Sequence, residues 1–163
     1  MSSAPFQSVD FRRVCGLFAT GVAVLTTRAA DGAPHGITIN SFSSISLDPP
    51  LVMVAIDRDC TFLEPFESSG FFAVNILREQ QLDLSIRFAA LPEGRFTGIA
   101  WTPAGTGSPV IDGVLGMVDC TTVEVIDAGD HRVLIGRALD VRMGEGRPLI
   151  FFKGQYTRLE PDY

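Results

Sequence analysis

Apolar residues near the start of the chain have the spacing of one face of a helix. Four of them recur at i, i+3, i+4 and i+7: Phe11, Val14, Cys15 and Phe18. This spacing predicts an amphipathic helix, since 3.6 residues per turn bring those positions to one side. We expect the helix to end at Gly21, because glycine is the most common residue after a helix.

The remainder of the pattern predicts short strands with two further helices. Runs rich in β-branched and aromatic residues predict strands at 22–27, 35–39, 51–56 and 71–77. The run Leu51–Ile56 is apolar at every position, which is typical of a strand buried on both sides. Helical patterns occupy 61–70 and 79–91, and the segment from Val114 to Tyr156 is mostly strand. Because strands and helices do not alternate regularly, we expect an antiparallel β-barrel with peripheral helices, in the mainly-β or α+β class.

Short hydroxyl and amide side chains crowd the connection between two of these strands. They are Thr38, Asn40, Ser41, Ser43, Ser44 and Ser46. Asp48–Pro49–Pro50 follows, and we expect a stiff, extended exit because proline restricts itself and the residue before it. Such side chains often satisfy only their own backbone. Beside an apolar strand they would also suit a flat ligand with a phosphate, since hydroxyls and backbone amides bind phosphate without lysine.

Composition narrows the possible partners and compartments. The chain has 163 residues, 46% hydrophobic, which is enough for the core of one domain. No apolar run reaches the roughly 20 residues of a membrane span, and the N-terminus lacks the pattern of a signal peptide. We therefore expect a cytoplasmic protein without a membrane partner. The net charge is −6 and Arg12–Arg13 is the only basic pair, so we do not expect nucleic acid as a partner.

Several common chemistries have no signature in this chain. The cysteines Cys15, Cys60 and Cys120 are odd in number and far apart, which excludes a disulfide framework. The chain has only two histidines, His35 and His131, and they do not combine with the cysteines in the spacing of a metal site, so we expect no metal site. There is no dinucleotide fingerprint after a strand, no P-loop and no nucleophile elbow.

Five segments together resemble the short-chain flavin reductase family. In order they are FATGVAVLTT, GITINSFSSISLDPPLVMVAID, SGFFAVNIL, GDHRVLIGRA and PLIFFKGQY. The resemblance extends from about Phe11 to Leu159 and implies a single split-barrel domain over 1–163, with a Greek-key barrel and a few peripheral helices. It also implies a homodimer that binds FAD or FMN, uses NADH or NADPH to reduce it, and supplies reduced flavin to a flavin-dependent monooxygenase.

The same resemblance assigns the site residue by residue. Those implied to bind the flavin are Thr38, Asn40, Ser41, Ser44, Ser46, Ala55, Ile56, Asp57, Cys60, Thr61, Phe88 and Arg95. Ser44 and Ser46 match phosphate-proximal hydroxyls, and Arg95 matches the cation that pairs with phosphate. Those implied to lie at the nicotinamide are His131, Phe152, Gly154 and Tyr156. His131 is the candidate catalytic residue, expected to orient the nicotinamide and not to act as an essential proton donor.

Three alternatives stay open on the sequence alone. A non-catalytic flavin- or haem-binding split barrel would need the flavin wall but no nicotinamide pocket, and an oxidase on a related barrel would need more basic residues around its substrate. The third is a structural dimer whose pocket is vestigial. Cys60 replaces a serine of many relatives, and Gln155 stands where a basic residue is expected. The choices between FAD and FMN, and between NADH and NADPH, are therefore open.

Overall fold

The computed structural model describes residues 7–159, in which strands outnumber helices as the apolar pattern predicts. The helices in this range are α1 (Ser8–Cys15), α2 (Leu63–Ser68) and α3 (Leu82–Ala90), the last preceded by a 3₁₀ turn at Glu79–Gln81. The strands in this range are β1 (Thr20–Gly21), β2 (Ala23–Arg28), β3 (Pro34–Ile39), β4 (Ser43–Leu47), β5 (Pro50–Asp57), β6 (Phe71–Ile76), β7 (Trp101–Pro103), β8 (Pro109–Ile111), β9 (Gly116–Ala128), β10 (His131–Met143), β11 (Ile150–Phe152) and β12 (Gln155–Thr157). Within residues 7–159, no helix is long and apolar enough to cross a membrane.

One antiparallel sheet of seven strands forms the body of the fold, in the order β3-β2-β6-β9-β10-β5-β4. The long hairpin β9–β10 turns at Gly129–Asp130, where Gly129 has a φ of 63° and His131 pairs with Ala128. Two smaller sheets, β1-β11-β12 and β7-β8, complete the strand pairing. The predicted mainly-β class with antiparallel pairing and few helices is confirmed.

The sheet curves until β3, at one edge, approaches β5 near the other. A side chain links the segment that follows β3 to β5: the Ser41 hydroxyl donates to the Ala55 carbonyl at 2.8 Å, and the Ala55 N–H donates to the same hydroxyl oxygen at 3.0 Å. The seven-strand order contains no backbone ladder between β3 and β5. The barrel is therefore split at this point.

Two apolar clusters hold the fold together. The first fills the barrel and includes Leu25, Phe66 and Phe72, all fully buried. The second lies between the barrel and α3 and includes Leu77 and Phe88, which are also fully buried. Since burying a large apolar side chain contributes about 1.5–3 kcal/mol, α3 is firmly docked on the barrel.

The first helix is shorter than its apolar pattern predicts. It ends at Cys15, and Gly16 donates its N–H to the Arg12 carbonyl. The predicted end at Gly21 is wrong, because Thr20 and Gly21 instead pair with Phe151 and Ile150 as β1. Tertiary strand pairing thus overrides the helical periodicity beyond Gly16.

The hydroxyl-rich segment is also more regular than expected. Ser43–Leu47 forms β4, paired to β5, and Asp48–Pro49 makes a tight turn with a cis peptide bond. The expected extended exit is therefore wrong.

Burial alternates along β5, so the expectation of a strand buried on both sides is also wrong. Val52, Val54 and Ile56 face the core, whereas the side chains between them are half-buried.

Candidate functional site

A cleft of about 290 Å³ opens at the split, where β3 and β5 end beside α3. Buried residues form its apolar floor: Ile37, Ile39, Ile56 and Phe88. Polar side chains surround that floor: Thr38, Asn40, Ser41, Asp57, Cys60, Arg95 and His131. An apolar floor with a few convergent polar groups is the usual composition of a small-molecule site.

The three polar residues from the end of β3 have different freedom to bind a ligand. The Thr38 hydroxyl donates to the Ser85 carbonyl of α3 at 2.7 Å, which leaves its oxygen lone pairs as acceptors. Ser41 is occupied by the backbone of Ala55. The Asn40 side chain is exposed and has no hydrogen-bond partner within residues 7–159. Asn40 therefore offers both an amide donor and an acceptor at the mouth of the cleft.

Arg95 is held at one end of the cleft by two carbonyls. Its Nε donates to the Leu91 carbonyl at 2.6 Å, and its Nη1 donates to the Gly36 carbonyl at 2.8 Å. The guanidinium also lies over the Phe62 ring, with Cζ 4.2 Å from the centroid. These contacts leave Nη2 without an acceptor in the described part of the chain. A fixed guanidinium with one free edge is well suited to bind a phosphate oxygen.

The loop that carries Arg95 is itself anchored by Arg87 of α3. Arg87 donates from Nε to the Arg95 carbonyl at 2.7 Å, and from Nη2 to the carbonyls of Gly94 at 3.2 Å and Thr97 at 2.5 Å. Hydrogen bonds from a charged donor are stronger than neutral ones. Arg87 thus fixes the position of Arg95 relative to the helix.

Burial lowers the pKa of Arg95, and the neighbouring Cys60 acts in the opposite direction. Arginine keeps its proton in proteins despite such shifts. A cation in this partly desolvated position attracts an anion more strongly than one in bulk water would.

His131 enters the cleft from the start of β10, where it pairs with Asp57 of β5. Its Nδ1 lies 2.7 Å from Oδ1 of Asp130. The hydrogen bond to His131, and then the charge of that ring, lower the pKa of Asp130, so this carboxylate is ionised at neutral pH. Because a carboxylate only accepts, Nδ1 is the donor, and Nε2 is the ring nitrogen left for a ligand.

The family described as "Flavin reductase like domain" matches residues 15–160. The chain belongs to the flavin reductase-like domain family.

Three proteins are similar to this flavin reductase-like domain over almost its whole length. It is 41% identical to the reductase subunit HsaB of a flavin-dependent monooxygenase from Mycobacterium tuberculosis H37Rv, covering 98% of this chain and 87% of that protein. Nitrilotriacetate monooxygenase component B from Mycobacterium thermoresistibile superimposes with a TM-score of 0.90 at 43% identity, over 94% of this chain and 87% of that one. The NADH:FAD oxidoreductase SgcE6 from Streptomyces globisporus, in complex with NAD and FAD fragments, has a TM-score of 0.90 at 30% identity, over 99% of this chain and 98% of that one. The split-barrel fold and the family expected from the sequence are confirmed.

Most of the sequence-predicted site residues come together in the cleft. These are Thr38, Asn40, Ser41, Ala55, Ile56, Asp57, Cys60, Phe88, Arg95 and His131. Three predicted flavin-binding residues lie outside it: Ser44, Ser46 and Thr61. Ser44 and Ser46 belong to β4, with a register irregularity between them, so their hydroxyls do not form the regular row that strict alternation predicts.

The predicted nicotinamide residues near the C-terminus also lie outside the cleft. Gly154 lines a different cavity of about 410 Å³, together with Arg12, Leu17 and Lys153. Phe152 packs under the Lys153 ammonium at 5.1 Å. The Tyr156 hydroxyl is 2.8 Å from the buried Ser85 Oγ, and the Ser85 carbonyl accepts from Thr38. Tyr156 therefore does not line the cleft, and hydrogen bonds through Ser85 of α3 connect it to Thr38.

Sequence reasoning missed Arg87, because its role depends on a loop that folds back onto α3. Ile37 and Ile39 were predicted as strand residues but not as the floor of the site. In the sequence Gly94 indicates only a turn, and in the structure its φ of 65° belongs to a tight turn after α3 that needs an anchor. Nothing in the local sequence indicates which side chain supplies that anchor.

Proposed function

We propose that this protein transfers a hydride from NADH or NADPH to FAD or FMN and delivers the reduced flavin to a partner monooxygenase. The observation that carries the proposal is the cleft at the split, with its apolar floor, its free Asn40 amide and its fixed Arg95. The relative named as the reductase subunit of a flavin-dependent monooxygenase supports the same reaction and the same kind of partner.

The residues of the cleft fit a flavin by their chemistry. Ile37, Ile39 and Ile56 are only 2–7% exposed and pack into the barrel core, so the strands that carry them would form a rigid floor beneath a flat ring. Asn40 and the lone pairs of Thr38 suit the polar edge of such a ring, and Arg95 suits its phosphate. A bound flavin and a nicotinamide supply the redox chemistry, so the protein needs to position the rings but not to provide a nucleophile.

His131 is our candidate for positioning the nicotinamide. Asp130 fixes its Nδ1 and thereby the direction of Nε2, and the side chain is 43% exposed, so a second ligand can approach it from solvent. Phe152, Gly154 and Tyr156 remain predicted nicotinamide contacts. A single chain forms the cleft without these three residues, so they would have to contact the nicotinamide from outside it.

We further propose a homodimer. Large apolar side chains are exposed on α1, in the turn that follows it and along one side of β10, among them Val14 at 67%, Phe18 at 79%, Val141 at 63% and Met143 at 96%. A soluble monomer rarely exposes such patches. Sedimentation equilibrium should give twice the chain mass, and Val141→Glu should shift it towards the monomer; a monomeric parent protein would refute the proposal.

The reaction is tested by following nicotinamide absorbance with purified protein. We expect NADH to be consumed rapidly only when FAD or FMN is added. Arg95→Gln should raise the flavin KM about tenfold or more, whereas the exposed Arg158→Gln should leave it unchanged. Tight flavin binding without NADH consumption would instead support the non-catalytic flavin-binding alternative.

A further inference from the structure

Arg95 lines a second pocket as well as the candidate cleft. This pocket has a volume of about 310 Å³, close to the 290 Å³ of the cleft. It is bounded by the start of β3, by Phe62 and by the turn from Glu93 to Thr97. One guanidinium therefore stands where two pockets of similar size adjoin. This arrangement suits a ligand with two ring-bearing halves joined by phosphate.

The second pocket is rich in aromatic side chains. The His35 and Phe62 rings have centroids 5.8 Å apart at 46°, and both residues are only half-buried. The Phe96 ring forms part of another wall, packed edge-on against Phe88 with centroids 4.9 Å apart. The Arg95 guanidinium covers one face of Phe62, which leaves the half-buried His35 and Phe96 rings as stacking surfaces. Such rings favour a flat heteroaromatic base, because every base offers a π-surface for stacking.

Charge supports a phosphate at the junction. Arg95 is anchored by the Gly36 and Leu91 carbonyls but keeps Nη2 free, as described above. Glu93 at the rim of the second pocket adds a carboxylate, which can accept a hydrogen bond from an exocyclic amine but would repel a second phosphate. The pocket therefore favours an uncharged base and sugar, with the phosphates held at Arg95.

We infer that the second pocket binds the adenosine of FAD, with the pyrophosphate at Arg95, so that this protein prefers FAD over FMN. The inference rests on the proposed function, since it extends the same site beyond the flavin ring. FMN lacks the adenosine and would leave the second pocket unused.

The preference is measured by titrating the full chain, without NADH, with FAD and with FMN, and following flavin fluorescence. We expect FAD to bind at least about tenfold more tightly than FMN, the range that one stacked base contributes. Adenosine, which carries no phosphate for Arg95, should compete with FAD but not with FMN. His35→Ala should weaken FAD binding several-fold and leave FMN binding nearly unchanged, while His35→Phe, which restores a ring, should recover FAD affinity. Circular dichroism and the thermal midpoint of each variant confirm that it is folded.

The outcomes separate this inference from the proposed function. Equal affinities for FAD and FMN, with both reduced by NADH, would overturn the adenosine site and leave the reductase intact. A loss of FMN and FAD affinity by the same factor in folded His35→Ala would overturn it as well. Failure of either flavin to bind the parent protein would refute the proposed function itself, and the inference with it.

Discussion

Replacing Gly36 with alanine tests how closely β3 packs against α3 beside the cleft. A Cβ at Gly36 would lie 2.6 Å from Cε1 and 2.8 Å from Cδ1 of Phe88, and 3.2 Å from Cε2 of Phe96. Carbon atoms in contact normally lie about 3.5–4.0 Å apart, so the Phe88 ring would have to move by roughly 1 Å. Phe88 is fully buried and packs in the cluster that docks α3, so no open space receives the ring.

The cost follows from overpacking a closed core. Inserting a methyl group into such a site typically costs about 1–3 kcal/mol, against which alanine recovers about 0.4–1 kcal/mol through the unfolded state. We expect Gly36→Ala to lower the free energy of unfolding by about 1–2 kcal/mol, which for a domain of this size lowers Tm by roughly 2–8 °C. Flavin affinity should fall too, because the Gly36 carbonyl is the acceptor that holds Arg95 Nη1.

The measurement is chemical unfolding of the parent protein, Gly36→Ala and a matched control. Gly21→Ala is that control, since a Cβ there meets nothing within 4 Å and its backbone is not left-handed; it should change stability by less than about 0.5 kcal/mol. Adding Phe88→Leu to Gly36→Ala should cost less than the sum of the two single changes, because the clash is relieved. Strict additivity, or a Gly36→Ala protein as stable as the parent, would refute the close packing.

Three further substitutions test other parts of the site and core. Arg87→Met removes the hydrogen bonds to the loop that carries Arg95 and should weaken flavin binding about tenfold in a fluorescence titration, with the exposed Arg158→Met as the control that should not. Burial, and then Asp119, raise the pKa of Cys120 from 9.0 to about 12, so the free energy of unfolding should fall as the pH rises above 9; Cys120→Ala should reduce that decline, and an identical pH slope would contradict the shift. His131→Ala should raise the KM for NADH but preserve kcat at saturating NADH, and loss of kcat there would show that His131 does more than position the nicotinamide.

The apolar pattern predicts most strands and the overall class because burial repeats locally along the chain. It fails where distant pairing decides the structure. Thr20 and Gly21 continue the region that looks helical, but they pair with residues more than 120 positions away. β5 looks buried on both sides because Leu51, Met53 and Ala55 are apolar, yet the fold leaves them half-buried. The apolar residues of a strand do not by themselves show whether both of its faces are packed in the core or only one is.

The site was predictable where it follows contiguous segments. The resemblance assigned Asn40, Asp57, Arg95 and His131, and the fold gathers them in one cleft. It could not indicate Arg87, whose acceptors are three loop carbonyls, or the pairing of His35 with Phe62. Such contacts depend on how a turn folds back, and residue types at fixed spacing contain no information about that.

The edge position of β3 explains why so few side chains identify the site. Within the seven-stranded sheet β3 pairs only with β2, so the backbone groups along its other side face the split. One of them, the Gly36 carbonyl, is already occupied by Arg95, and Ser41 bridges the split at Ala55. The remaining edge can bind a ligand through backbone groups that any residue would supply. Single side-chain changes at Thr38 or Asn40 should therefore weaken flavin binding less than changes that move β3 or release Arg95.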